Sequence, residues 1–199
     1  PFDKLAADAG KARDENRVDD AIALYRKALG VRPAWAEGWW EAGVLHYDRD
    51  QYPECAVAFE KLVALQPKAG PAHAFLGLCQ FKLKQYARSF EHLNASRELG
   101  LAGSEHLSEV VFYHNAILLN RDGNFEGALR LLGGAARGKA ASPKVLLAAG
   151  IAGLRERWLP DEVPEDKRAL AVEMGRALTL AIDRRQAEAA PIFEKLVAE

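Results

Sequence analysis

Disulfide, nucleic-acid and membrane chemistry have little to draw on in this 199-residue chain. Its only cysteines, Cys55 and Cys79, fall at small or apolar helix positions and read as two buried thiols, with no disulfide framework. Neither sign of charge is in excess: 27 Lys and Arg face 28 Asp and Glu, for a formal net charge of −1, and no basic run stands out. That balance argues against a nucleic-acid or anionic-membrane partner. The longest strongly apolar stretch runs from Val145 to Leu154. It is far shorter than the roughly 18 residues a bilayer requires, so no membrane insertion is expected. No signal peptide assigns a compartment; a start at Pro1 and an end straight after a helix read as a processed or excised segment.

Catalytic constellations are missing as well. The five histidines, His46, His73, His92, His106 and His114, form no HExxH, no i,i+4 pair and no cluster with cysteine at metal spacing. His46 and His73 fall at core-stripe positions, where a hydrogen-bonded, half-buried imidazole is expected. Residues 133–140, Gly-Gly-Ala-Ala-Arg-Gly-Lys-Ala, nearly spell a phosphate-binding loop. A helix precedes them where a strand is needed, and Ala140 replaces the hydroxyl that would hold magnesium, so the segment reads as the break at a helix C-terminus. Ser104 lacks the flanking glycine of a nucleophile elbow. Asp161, Glu162, Glu165 and Asp166 suit the positive end of a helix dipole and lack the alternating ligands of a calcium loop. The expectation is a chain with no cofactor, no metal and no enzymatic activity.

What the chain does have is 49 % hydrophobic residues arranged in a 34-residue echo. Ala21, Tyr25, Ala28 and Pro33 recur as Cys55, Phe59, Leu62 and Pro67, while Trp39 and Gly43 recur as His73 and Gly77. A period of this length means stacked helix hairpins, each packed on its neighbours. Polar turns at Asp14–Arg17, Asp48–Gln51 and Lys84–Gln85 separate helix A from helix B in each unit. Pro33 and Pro67 stop the B helices, since proline cannot continue the hydrogen-bond ladder. A five-residue insertion near Gly100–Ser104 shifts the register before the fourth unit, and Ser142-Pro143 opens a fifth A helix with Ser as N-cap. After Trp158 the pattern breaks into an extended segment through Pro164, followed by helices over about 165–182 and 186–197. The expectation is an all-α chain of about eleven helices and no strands. It would form one solenoid over residues 1–199, with units at about 2–35, 36–69, 70–108 and 109–142 and divergent helices over 143–199.

The pattern resembles the tetratricopeptide repeat. Trp39, Gly43, Cys55, Phe59 and Pro67 carry it best, with Leu62 in place of the usual alanine; Leu5, Ala21, Tyr25, Ala28 and Pro33 carry it in the first unit, and Leu76-Gly77, Tyr86 and Ser89 in the third. The resemblance covers about residues 2–140 well and the rest loosely. It implies a right-handed α-solenoid of stacked antiparallel hairpins, with A helices lining the concave side. Some members of that family hold acidic chaperone tails in a clamp of Lys, Asn and Arg. The matching positions here are chiefly Ala6, Gly10, Trp40, Val44, Ala74 and Leu78, so the clamp is absent.

A second stripe rides on the A helices. Trp40, Val44 and Tyr47 lie at i, i+4 and i+7, on one face beside the core stripe. The repeat carries them to Ala74, Leu78 and Phe81, then to Tyr113, Ile117 and Asn120, then to Leu147, Ile151 and Leu154. In the resembled family these positions face the groove, so Trp40, Val44, Tyr47, Leu78, Phe81, Tyr113 and Ile117 are the expected anchors for a protein or peptide partner. Asn120 and Arg121 are the expected polar fixers at its edge, with Arg13 and Lys82 nearby. A groove filled by the chain's own C-terminal helices, leaving a spacer or self-associating scaffold, stands beside that reading. The apolar face of the helix over 165–182, with Leu170, Met174, Ala177 and Leu178, suits such filling.

Overall fold

Each polar turn reverses the chain through one recurrent backbone conformation. The computed structural model describes residues 2–101, 103–136 and 141–198. Among these residues there are eleven α-helices and no strand: α1 Phe2–Asp14, α2 Val18–Val31, α3 Ala36–Asp48, α4 Tyr52–Leu65, α5 Gly70–Lys82, α6 Tyr86–Leu99, α7 Glu105–Asp122, α8 Phe125–Ala136, α9 Pro143–Gly153, α10 Glu165–Ile182 and α11 Gln186–Ala198. Asn16, Asp50 and Lys84 follow α1, α3 and α5 with φ of 55, 56 and 59°, and Gly123, Arg155 and Arg184 repeat the left-handed step after α7, α9 and α10. The next residue's N–H returns to a carbonyl five positions back: Arg17 to Ala12 at 2.8 Å, Gln51 to His46 at 2.9 Å and Gln85 to Gln80 at 2.9 Å. This cap satisfies carbonyls that a helix end would otherwise orphan. The B helices α2 and α4 end at Val31 and Leu65, two residues ahead of Pro33 and Pro67.

The chain divides into two compact units, Pro1–Ser104 and Glu105–Glu199. In the first, α1 to α6 form three hairpins packed in sequence order. A methyl group on Gly43 would lie 2.7 Å from the Phe59 ring, and one on Gly77 would lie 2.7 Å from Leu93, so glycine lets each A helix close on its B helix. Tyr25 and Phe59 are almost fully buried. His46 Nδ1 pairs with Gln51 Oε1 at 2.7 Å, and the buried His73 sits between the Pro67 carbonyl and His92 Nδ1, both at 3.1 Å, as their core-stripe positions suggested. The cysteines depart from expectation. Both are fully buried, but they form a disulfide joining α4 to α5, with Cα atoms 6.3 Å apart. Their 24-residue separation places them on facing sides of consecutive helices of different hairpins, a relation visible only once the hairpins are stacked.

In the second unit α7 and α8 form a hairpin, and α10 packs on both α9 and α11. It thereby takes the place of the B helix that does not follow Trp158 directly. Its contact with α9 is close: a methyl on Gly150 would lie 1.6 Å from the Ala171 carbonyl oxygen, and one on Gly175 would lie 1.8 Å from that of Leu146. Helix α7 starts at Glu105, directly after the insertion expected near Gly100–Ser104. Three further details differ from the sequence reading. Helix α8 does not break at Gly133 and Gly134 but runs to Ala136, and a methyl built on Gly133 would lie 2.5 Å from Ile182. The rest of the phosphate-loop look-alike, residues 137–140, lies outside the described residues. The segment after Trp158 is not uniformly extended but turns at residues 160–162. Ser142 occupies the N-cap position of α9 without a side-chain capping bond.

Candidate functional site

The second stripe is where the two units diverge. In the first unit, Trp40, Val44 and Tyr47 on α3 and Phe81 on α5 are half-buried, while Leu78 is 3 % exposed. The exposed parts belong to an aromatic cluster. The Trp40 ring stands edge-on to Phe59 and Phe75, with centroids 5.6 and 5.5 Å away, and Phe59 stacks on Phe75 at 5.1 Å. Tyr47 meets Phe75 and Tyr52 edge-on, at 5.4 and 5.9 Å, and Phe81 meets Tyr86 at 5.5 Å. Such edge-to-face pairs hold rings in fixed orientations beyond what burial alone provides. Trp40, Val44 and Tyr47 therefore lean on the core around Cys55, Phe59 and Leu76 and keep one side open.

Phe75 escaped the sequence reading. Its equivalent one repeat earlier is Glu41, so the echo gave no reason to mark it. The chemistry around the stripe is acidic. Burial, with Asp48 and Asp50 adding to it, pushes the Tyr47 phenol above its ordinary value. The Tyr52 hydroxyl donates to Asp50, and that bond leads the causes that raise its phenol to about 12.

In the second unit the corresponding residues are engaged within the chain. Tyr113 is half-buried, with burial raising its phenol, and the Lys144 ammonium lies 5.1 Å over its ring. Ile117 and Asn120 are 4 % and 3 % exposed. Asn120 Nδ2 donates to the Glu156 carbonyl at 2.9 Å, and Arg121 Nη1 pairs with Glu162 Oε2 at 2.7 Å. Glu162 also accepts the Leu159 N–H at 2.9 Å, so this side chain and the Asn120 bond tie residues 156–162 to the end of α7. Leu78, Ile117 and Asn120 are thus buried, and Arg121 is paired with a carboxylate. On α9, Leu147 and Ile151 are buried with Val163 and Ala171, and Leu154, Trp158 and Val172 pack against them.

Beside this tie lies an open cavity of about 560 Å³ lined by Arg121, Arg155, Glu156, Arg157, Trp158 and Glu162. Arg121 is paired with Glu162, and Arg155 with Glu126 at 3.1 Å, so the cavity offers no strong surplus of either charge. Among the described residues no three His, Cys, Asp or Glu side chains come together as metal ligands, and no helix is long and apolar enough to cross a membrane.

No protein-family model matches the sequence, and no curated protein does. Solved structures do. YrrB, a TPR protein with an unusual peptide-binding site, is 19 % identical, with a TM-score of 0.70 over 98 % of this chain and 92 % of its own. MamA is 17 % identical, with a TM-score of 0.69 over 94 % of each chain. A tetratricopeptide repeat protein from Parabacteroides merdae ATCC 43184 is 15 % identical, with a TM-score of 0.63 over all of this chain and 79 % of its own. The chain has the tetratricopeptide-repeat fold, an all-α solenoid of stacked hairpins.

Proposed function

We propose that the chain is a non-catalytic protein-interaction module that takes a peptide or helical segment of another protein along the A-helix face of its first unit. The observation that carries this reading is the half-exposed stripe of Trp40, Val44 and Tyr47, continued by Phe81, backed by a packed aromatic core. Rigid aromatic anchors of this kind give binding area at small cost in side-chain entropy. The peptide-binding site named for YrrB, which shares the fold, supports the same mode of action. Leu78, Tyr113, Ile117, Asn120 and Arg121 would then support the site or the neighbouring unit rather than form its open face.

Affinity capture tests the reading. Trp40→Ala with Phe81→Ala abolishes partner capture, while Val57→Ala with Leu65→Ala, both exposed on α4, leaves it intact. Because Trp40 also packs on Phe59 and Phe75, the pair is read beside Val44→Gln with Tyr47→Gln, which leaves the Trp40 ring in place, with helicity followed by circular dichroism. Capture unchanged in both pairs refutes the groove.

A second reading rests on the burial of Leu147 and Ile151 beneath Val163 and Ala171. Such packing in the second unit would suit a spacer or self-associating scaffold. Mass that rises with concentration in sedimentation equilibrium, without any bound partner, would support it.

A further inference from the structure

The open face of α3 carries charge of one sign, and that sign identifies a class of partner. Helix α3 contains Glu37, Glu41 and Asp48 and neither lysine nor arginine. At 100° per residue, Glu37, Glu41, Val44 and Asp48 lie on one stripe at i, i+4, i+7 and i+11, beside the stripe of Trp40 and Tyr47. Glu41 is neutralised from within, by Arg13 Nη1 at 2.7 Å. Glu37 and Asp48 are exposed, and no ion pair among the described residues involves either. Three cations of the same unit have other partners. Arg13 also bonds Asp14, Arg49 reaches Asp19 at 2.9 Å, and the Lys82 ammonium lies over the Tyr52 ring at 5.7 Å. An apolar and aromatic strip is thus flanked by two uncompensated carboxylates, about 16 Å apart along the helix at 1.5 Å per residue.

We propose that this face receives a basic amphipathic segment, with apolar residues on Trp40, Val44 and Tyr47 and Lys or Arg heads on Glu37 and Asp48. The inference rests on the groove reading above and adds the partner's chemistry. Lysine and arginine fit both parts of the strip, because their aliphatic stems lie along apolar rings while their heads reach the carboxylates. An acidic segment would bring like charges together there, which is how such a face rejects the wrong partner.

The test uses three synthetic 18-residue helical peptides with the same leucines and with Lys, Gln or Glu on the polar face. Binding is read by fluorescence anisotropy of labelled peptide on the full chain. The Lys peptide binds at least tenfold more tightly than the Glu peptide, and its affinity falls between 50 and 500 mM salt, as expected of exposed pairs. Glu37→Gln with Asp48→Asn weakens it by about fivefold, two exposed pairs at roughly 0.5 kcal/mol each. Neutralising Glu54 and Glu60 on α4 leaves the dissociation constant within twofold.

Failure of the Lys peptide to bind, or indifference to the Glu37 and Asp48 changes, overturns the proposal. Equal binding of all three peptides, lost in each case with Val44→Gln and Tyr47→Gln, overturns the charge assignment and leaves the groove standing. Lys-peptide binding that survives those two substitutions refutes this face as its site. Self-association of the unliganded chain, abolished by neutralising Glu37 and Asp48, assigns the face to a second copy and overturns it too.

Discussion

Substituting Gly175 by alanine should open the α9–α10 contact, and its size follows from the structure. The added methyl would lie 1.8 Å from the Leu146 carbonyl oxygen and 2.9 Å from the Gly150 backbone nitrogen, both backbone atoms that no rotamer change can move. Restoring an ordinary carbon–oxygen separation of about 3.2 Å needs roughly 1.4 Å of helix displacement, and a gap of 0.5–1 Å already forfeits a quarter to a half of each dispersion contact lining it. Overpacking of this kind costs about 1–3 kcal/mol, occasionally more, against about 1 kcal/mol gained in helix propensity on replacing glycine. A clash of this depth with backbone belongs at the upper end of that range, so the expected net loss is about 2 kcal/mol in the second unit. Gly150→Ala should cost a similar amount, since its methyl would meet the Ala171 carbonyl. The double variant should cost less than the sum of the two, because one displacement relieves both clashes. Gly10 in α1, with nothing within 4 Å of a built methyl, is the control, and Gly10→Ala should stabilise by about 0.5–1 kcal/mol. Urea unfolding followed by circular dichroism gives the midpoints, and hydrogen exchange over residues 143–182 localises the loss. Gly175→Ala unfolding at or above the wild-type midpoint would refute the close-contact argument.

Three further outcomes are expected. Asn115 is 1 % exposed, and neither end of its amide finds a hydrogen-bond partner among the described residues. Leucine occupies the matching repeat position at Leu76, so Asn115→Leu should raise the urea midpoint by about 1–3 kcal/mol of stability, and a fall would show the amide to be needed. Reducing the Cys55–Cys79 disulfide should lower the stability of the first unit by roughly 3 kcal/mol, the chain-entropy value for a loop of its length, read as a midpoint shift with and without dithiothreitol. Burial and then the neighbouring His73 hold the His92 imidazole below its ordinary value, so the fold favours its neutral form. That contribution is complete above about pH 6.5 and is lost as the pH falls through the lower folded value, so the midpoint should drop between pH 7.5 and 5.5 by more in wild type than in His92→Gln.

The hairpins were legible in the sequence because their causes are local. A polar turn with a left-handed residue, a proline two places past each early B helix and a small residue facing an aromatic all sit within one 34-residue window. The disulfide was not legible, because Cys55 and Cys79 belong to different hairpins and meet only after stacking. The continuation of α8 past Gly133 was missed as well. Two glycines look like a helix stop in isolation, and the Ile182 side chain beside Gly133 comes from 49 positions away in sequence. Phe75 was invisible to periodicity because the position it shares with Glu41 does not keep its chemistry from one repeat to the next.

The second stripe shows most sharply what register can and cannot specify. Val44, Leu78, Ile117 and Ile151 are equivalent by repeat and nearly equivalent in chemistry, yet Val44 is half-buried and the other three are 3 %, 4 % and 1 % exposed. Their difference comes from what else packs on each A helix. In the first unit turn length does not decide it: α3 and α5 are each followed by three residues, 49–51 and 83–85, yet Val44 stays half-buried while Leu78 is buried. In the second, α9 is followed by residues 154–164, long enough to bury Leu159 and Val163, and Asn120 and Arg121 hold that segment down. Lengthening the turn after α3 with the sequence of residues 155–164 would therefore not by itself close the first unit. The tie needs an amide and a guanidinium at the end of the preceding A helix, and on α1 the equivalents of Asn120 and Arg121 are Arg13 and Asp14. After α3 no segment such as 154–164 follows to cover the face, and Glu37, Trp40, Tyr47 and Asp48 keep exposed surface there.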